Sequence, residues 1–155
     1  MSARRSTENP GKTVQQWAWL ALTGLLVNGN WEWVQTPLFS DSTASLNEIV
    51  WFRLHCTFGD VLILLGCAAV VTTFRRSTGW LAKPRLSDLM LLTVLGVAYT
   101  SWSELVNLAR GSSAYSDLMP LLPGTSIGVV PLVQWLVLPT IAVTLAARLA
   151  RCGRE

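Results

Sequence analysis

The sequence predicts an all-α, polytopic membrane protein with four transmembrane helices. Charged residues make up only 14% of the 155 residues, whereas hydrophobic residues make up 51% and the mean hydropathy is +0.42. A soluble domain has about 25% charged residues. The apolar residues also form long runs, close to the roughly 20 residues that a helix needs to cross the hydrocarbon core. Basic residues lie mostly at the ends of these runs.

The first predicted span covers about 16–38, after a polar cytoplasmic tail at 1–15, and Pro37 helps to end it. This run ends in Asn-Gly-Asn-Trp-Glu at 28–32 and lacks a small-x-small cleavage site, so we expect a retained helix rather than a signal peptide. The other spans are expected at about 50–74, 88–108 and 129–147, followed by a basic cytoplasmic tail at 148–155.

The basic residues predict the orientation of the chain. Only Arg53 and Arg110 fall on one side of the predicted spans. The other ten fall on the opposite side: Arg4, Arg5, Lys12, Arg75, Arg76, Lys83, Arg85, Arg148, Arg151 and Arg154. Because cytoplasmic loops carry the excess of Lys and Arg, both termini are expected in the cytoplasm.

Polar residues within the predicted spans cluster in the half that lies away from the cytoplasm. Each carboxylate deep in a bilayer costs about 2.5–3.5 kcal/mol on insertion scales. We therefore expect these groups to face one another or a water-filled cavity. The predicted ligand- or proton-binding residues are Asn28, Glu32, Gln35, Asp60, Glu104, Asn107 and Gln134.

Helical phase supports this cluster. Asn28, Glu32 and Gln35 follow the i, i+4, i+7 spacing of one helix stripe. A comparable stripe on the third span contains Thr93, Gly96, Thr100, Glu104 and Asn107. Further predicted lining residues of the pocket are Trp31, Arg53, His55, Trp102 and Tyr115. His55 points about 140° away from Asp60 at about 100° per residue, so its part in the site is left open.

Each of these residues also has a purely structural interpretation. Glu32 and Glu104 could be protonated carboxyls bonded to neighbouring amides. Asp60 shares a helix face with Arg53, and the two could form an ion pair. The long connection at 110–128 contains the apolar run 118–124, which we expect at the outer interface as a cover over the polar site.

Several short motifs resemble those of a small bacterial integral-membrane family of unassigned role. The resemblance covers much of the chain and implies a multi-pass protein of the bacterial inner membrane; it brings no activity with it. The motifs are Asn30-Trp31-Glu32, Gln35, Pro37-Leu38, His55-Cys56, Gly59-Asp60, Ser103-Glu104-Leu105-Val106-Asn107, Tyr115, Met119-Pro120, Pro123-Gly124, Ile127-Gly128, Pro131-Leu132 and Gln134-Trp135.

The first functional hypothesis is a protein that binds or translocates a cation, a proton or a small polar ligand, because acidic intramembrane residues commonly mark pathways or relays. Two alternatives stay open, which leaves enzymatic activity undecided. The chain could be a small intramembrane enzyme that acts on a lipid or isoprenoid, with two carboxyls as acid and base. It could also be an accessory subunit of a larger membrane complex.

The expected partners are the lipid bilayer and either a second copy of the chain or another membrane subunit, with no nucleic acid. The sequence does not identify a cofactor. Glu32, His55, Asp60 and Glu104 have side chains of the types that ligate metals. However, His55 lies on a different face and no E-x-x-H or H-x-x-x-H spacing occurs, so no metal site is predicted.

Overall fold

The computed structural model describes residues 10–40, 44–111 and 114–152. In these ranges the protein is all-α and contains no strand, which confirms the all-α part of the predicted fold class. Four long helices account for most of them: α1 (Pro10–Gln35), α2 (Leu46–Arg75), α3 (Leu86–Arg110) and α4 (Val129–Cys152). The predicted tail residues Arg4, Arg5 and Arg154 and the loop residue Asp41 lie outside the described ranges.

Three of the helices, α2, α3 and α4, are long and apolar enough to cross a membrane, so the chain has the character of a membrane protein. α1 has 26 residues and is therefore about 39 Å long. Its polar residues Asn28, Glu32 and Gln35 are buried, whereas Asn30 is exposed. α1 also exposes apolar side chains such as Leu26.

Local signals explain where the helices begin and end. α2 starts with a capping box, in which the Glu48 N–H donates to Ser45 Oγ at 3.4 Å and the Ser45 N–H donates to the Glu48 carboxylate at 3.0 Å. α2 ends at Arg76, which has a positive φ of 51°. α3 ends at Gly111, whose φ of 67° is a conformation that glycine adopts without strain.

The helices form an up-and-down bundle in which α1 packs between α2 and α4, and α3 packs on α4. Contact between α2 and α3 is the least extensive of these four. We call the end of the bundle formed by residues 36–40, 44–45, 111 and 114–128 the connection end, and the end formed by residues 76–85 the basic end.

An apolar core fills the half of the bundle nearer the basic end. It includes Leu20, Leu64, Val71, Leu92 and Val143, each at most 1% exposed. At the basic end itself, an ion pair between Arg75 and Asp88 joins α2 to α3.

α3 and α4 approach each other closely at Gly96. A Cβ placed on Gly96 would lie 2.1 Å from the indole of Trp135, so this position accepts only glycine while the ring keeps its place. Trp135 is 3% exposed and separates the apolar core from the half of the bundle that holds the polar residues.

Candidate functional site

A cavity of about 470 Å³ lies between α2 and α3 in the half of the bundle nearer the connection end. This volume is within the range typical of small-molecule sites. α1 and α4 form its back wall through Glu32, Gln35, Gln134 and Trp135. Its other polar lining residues are Arg53, His55, Asp60, Thr100, Ser103, Glu104 and Asn107.

Glu32 lies at the centre of the back wall and is 3% exposed. Gln35, one turn later on α1, donates from Nε2 to Glu32 Oε1 at 2.5 Å, and Trp31 Nε1 donates to Gln35 Oε1 at 2.9 Å. The i, i+3 and i, i+4 spacings place these three side chains on one face of α1. The amide therefore fixes the orientation of the carboxyl.

Arg53 is the partner of Glu32 across the interface of α1 and α2. Its Nη1 lies 3.4 Å from Glu32 Oε2, and the arginine is 1% exposed. The guanidinium also lies 5.0 Å from the ring centre of Phe39 and 4.9 Å from that of Phe52, which are cation–π distances. A buried positive charge is thus held by one carboxyl and two aromatic rings.

Asp60 belongs to a second group of polar contacts that joins α2 to α4 and α1. Gln134 Nε2 donates to Asp60 Oδ2 at 2.7 Å and to Asn28 Oδ1 at 3.1 Å. One amide therefore links side chains from α1, α2 and α4 behind the cavity.

Glu104 lies on the opposite wall, on α3, and is contacted from the connection. The hydroxyl of Tyr115 donates to Glu104 Oε2 and accepts from the Gly128 N–H at 3.1 Å. Burial, reinforced by the neighbouring Glu104, raises the pKa of Tyr115 above its ordinary value. The phenol therefore keeps its proton and acts as a donor.

The connection closes the cavity at the connection end. The Ser40 N–H donates to the Ala114 carbonyl at 2.9 Å, and the Ser116 N–H donates to the Leu38 carbonyl at 3.0 Å. The rings of Phe39 and Tyr115 meet edge to face with centroids 5.6 Å apart. Phe39 also lines the cavity. The segment that follows α1 and the connection thus form one cover above Arg53 and Glu104.

Thr100 differs from the other hydroxyl residues of the helices. The hydroxyls of Thr57 and Ser101 donate to the carbonyl four residues earlier, each at 2.8 Å. Thr100 is 7% exposed and lines the cavity, yet its Oγ1 has no hydrogen-bond partner among the described residues. A buried hydroxyl without a partner loses about 1–3 kcal/mol relative to water.

The structure brings most of the predicted site residues together. Glu32, Gln35, Asp60, Glu104, Asn107 and Gln134 line the cavity, and Asn28 supports it from behind through Gln134. His55 is exposed at the rim of the cavity, as its helical phase predicts.

The remaining predicted lining residues lie at the edges of the site. Trp31 stands behind the cavity and bonds to Gln35. Trp102 is 60% exposed and packs against Tyr99 with ring centroids 5.7 Å apart. Tyr115 belongs to the cover through its contact with Glu104.

Sequence reasoning missed several lining residues. Tyr99 and Ser103 follow the i, i+4 spacing that leads to Asn107, so the stripe on α3 contains a signal that could have found them. Trp135 directly follows the predicted Gln134, but only the close approach of α4 to Gly96 shows which way its ring lies. Phe39 lies outside the long helices and carries no periodic signal.

Among the described residues, no group of three or more His, Cys, Asp or Glu side chains is arranged to hold a metal ion. The fold and the cavity instead define a helical membrane protein with an internal site of carboxyls and amides. No protein-family model, curated protein or solved structure matches the chain. The argument about function therefore rests on the site itself.

Proposed function

We propose that the chain is a four-span protein of the bacterial inner membrane, with both termini in the cytoplasm, that binds a cation or a small polar ligand in this cavity. Ten of the twelve basic residues on one side support the orientation. The apolar side chains that α1 exposes, among them Leu22, Leu26 and Val34, support a fourth span.

The observation that carries the proposal is the joining of carboxyl and amide side chains from three helices behind one cavity. Asn28 comes from α1, Asp60 from α2 and Gln134 from α4, and hydrogen bonds from the Gln134 amide connect all three. A bundle that needed only to pack could use apolar residues at these positions without the cost of burying them. A binding site would explain why polar side chains are buried at these positions in spite of the free-energy cost.

The charges around the cavity favour a positive ligand or a hydrogen-bond donor. Three carboxyls, those of Glu32, Asp60 and Glu104, line the cavity, and Arg53 pairs with the first of them. Glu104 on the opposite wall faces the cavity with a tyrosine as its described partner. When Glu104 is ionised, its negative charge is available to a bound cation.

The arrangement supports binding more directly than passage through the membrane. Below the cavity, Trp135 rests on Gly96, and the apolar core fills the half of the bundle nearer the basic end. Translocation would require a second conformation in which these contacts separate.

The experiment compares ligand content in three forms of the full chain, gently extracted from the membrane. These are the wild type, Asp60→Asn/Glu104→Gln and the control Glu48→Gln, which changes a carboxyl at the same end but outside the cavity. Native mass spectrometry and elemental analysis would identify a bound species. We expect it in the wild type and the control and expect its loss in the double variant. An equal content in all three forms, or no bound species in any, contradicts the proposal.

A further inference from the structure

Three groups of described residues form walls of the cavity. The back wall consists of residues such as Glu32 and Gln134, both 3% exposed. The cover formed by Phe39 and Tyr115 closes the connection end, and Trp135 closes the side toward the apolar core. Among the described residues, the remaining side is the gap between α2 and α3, where these helices have their limited contact.

The lining residues at this gap reach the surface of the bundle. Leu62 on α2 is 70% exposed and Tyr99 on α3 is 43% exposed, and both line the cavity. Trp102, which is 60% exposed, meets Tyr99 edge to face and extends the aromatic surface outward. In a bundle embedded in a bilayer, this surface faces lipid. A ligand that enters through the gap therefore comes from the membrane and passes apolar and aromatic side chains first.

Deeper in the gap, the lining side chains are polar and can form hydrogen bonds with a ligand. The buried hydroxyl of Thr100 has no partner in the described part of the chain, and a hydroxyl can both donate and accept. The carboxyl of Glu104 lies on the same helix one turn further on and lines the same cavity. An ammonium group can donate to both oxygens, and the nearby Tyr99 ring offers a further favourable contact for a cation.

We propose that the cavity binds the ammonium head of an amphiphile, bonded to Thr100 and Glu104, while the apolar chain leaves between α2 and α3 into the bilayer. This inference rests on the proposed polar-ligand site and adds the class of ligand and its route of entry. The chain of the ligand lies against Leu62 and Tyr99.

The test uses the full chain in phosphatidylcholine nanodiscs and dodecylamine with a diazirine at the end of its chain. We expect light-induced crosslinks on α2 and α3 near Leu62 and Tyr99. Unlabelled dodecylamine should compete at least about tenfold better than dodecanoate, dodecanol or methylammonium, since only dodecylamine has both the charged head and the chain. Mass spectrometry of peptides locates and quantifies the crosslinks.

Thr100→Val tests the position of the head. Removing one hydrogen bond should weaken competition by dodecylamine about fivefold. Because the hydroxyl has no partner among the residues that the structure describes, the thermal midpoint of the variant should not fall. Thr73→Val is the control, since Thr73 is exposed and bonds the Ala69 carbonyl at 2.9 Å, away from the cavity. Wild-type affinity in Thr100→Val would refute this placement of the head.

The remaining outcomes separate this inference from the proposed function. Equal competition by methylammonium and dodecylamine would show that the site ignores the chain, which overturns the amphiphile and leaves the polar site intact. Equal competition by dodecanoate would overturn the ammonium head. If Asp60→Asn/Glu104→Gln binds both amines as tightly as the wild type, the polar site itself is wrong.

Discussion

At the scale of single residues, the guanidinium of Arg53 is a positive charge that is almost completely buried. A buried charge is costly unless it is paired and hydrogen-bonded. Here Glu32 supplies the opposite charge, and Phe39 and Phe52 present their rings to the cation. The pair also ties α1 to α2 beside the cavity. Its two members are therefore expected to depend strongly on each other.

Arg53→Met should lower the free energy of unfolding by about 3–5 kcal/mol, because it leaves the carboxyl of Glu32 buried without its cation. The double variant Arg53→Met/Glu32→Gln removes both charges and should recover at least about half of that loss. Thermal and denaturant unfolding followed by circular dichroism measures both changes.

The control for this cycle is Arg110→Met. Arg110 is exposed at the end of α3, on the same side of the protein, and its loss should cost about 1 kcal/mol or less. Additive effects of Arg53→Met and Glu32→Gln would show that the buried pair is not coupled.

At the scale of the helices, the contact of α3 with α4 determines where the cavity ends. Trp135 lies directly on the backbone at Gly96, so the indole forms the boundary between the polar cavity and the apolar core. The ring can occupy this position only because Gly96 has no Cβ. A methyl group there would push the indole toward the cavity or separate the two helices.

Gly96→Ala should lower the free energy of unfolding by about 1–3 kcal/mol through overpacking, and it should also weaken ligand binding as Trp135 shifts. Gly66→Ala is the matched control on α2, because a Cβ at Gly66 meets nothing within 4 Å. There the better helix propensity of alanine should leave stability unchanged or raise it by up to about 1 kcal/mol. Equal changes in the free energy of unfolding for the two substitutions would show that the absence of a Cβ at Gly96 is not required for the packing of Trp135.

At the scale of the whole molecule, the two ends of the bundle have opposite characters. The connection end carries the carboxyls and the cover, whereas the basic end carries the positive loop around the ion pair of Arg75 and Asp88. This polarity matches the proposed orientation, in which the basic end faces the cytoplasm. An even number of spans then places both termini on that side.

Labelling of single cysteines in spheroplasts with a maleimide that cannot cross the membrane tests the orientation. With Cys56 and Cys67 replaced by Ala, the exposed Cys152 should react only after lysis. Asp117→Cys, at an exposed position of the connection, should react in intact spheroplasts. Both proteins carry Cys56→Ala and Cys67→Ala, and the Asp117→Cys protein also carries Cys152→Ala.

Lys12→Cys in that second background reports on the start of α1, where the residue is exposed. It should stay protected until lysis if α1 crosses the membrane. Reaction of Lys12→Cys in intact spheroplasts would leave only α2, α3 and α4 as spans and would contradict the four-span arrangement.

The grouping of site residues could be predicted from the sequence because helical phase is a local property. Asn28, Glu32 and Gln35 share a stripe in the sequence and a buried face in the structure. His55 was expected on another face, and it lies exposed at the rim. Partners could not be predicted in the same way. Arg53 shares a helix face with Asp60, yet it pairs with Glu32 on the neighbouring helix.

The sequence by itself determined the helical class, the apolar outer surface and the end at which polar groups collect, because these follow from composition and from a period of 3.6 residues. Only the tertiary structure decided which groups meet. Three features depend on how the helices are rotated and spaced. They are the hydrogen bond between Asp60 and Gln134, the packing of Trp135 against Gly96, and the Thr100 hydroxyl, which has no partner among the described residues. That packing balances many weak contacts across the bundle, so no local pattern encodes it.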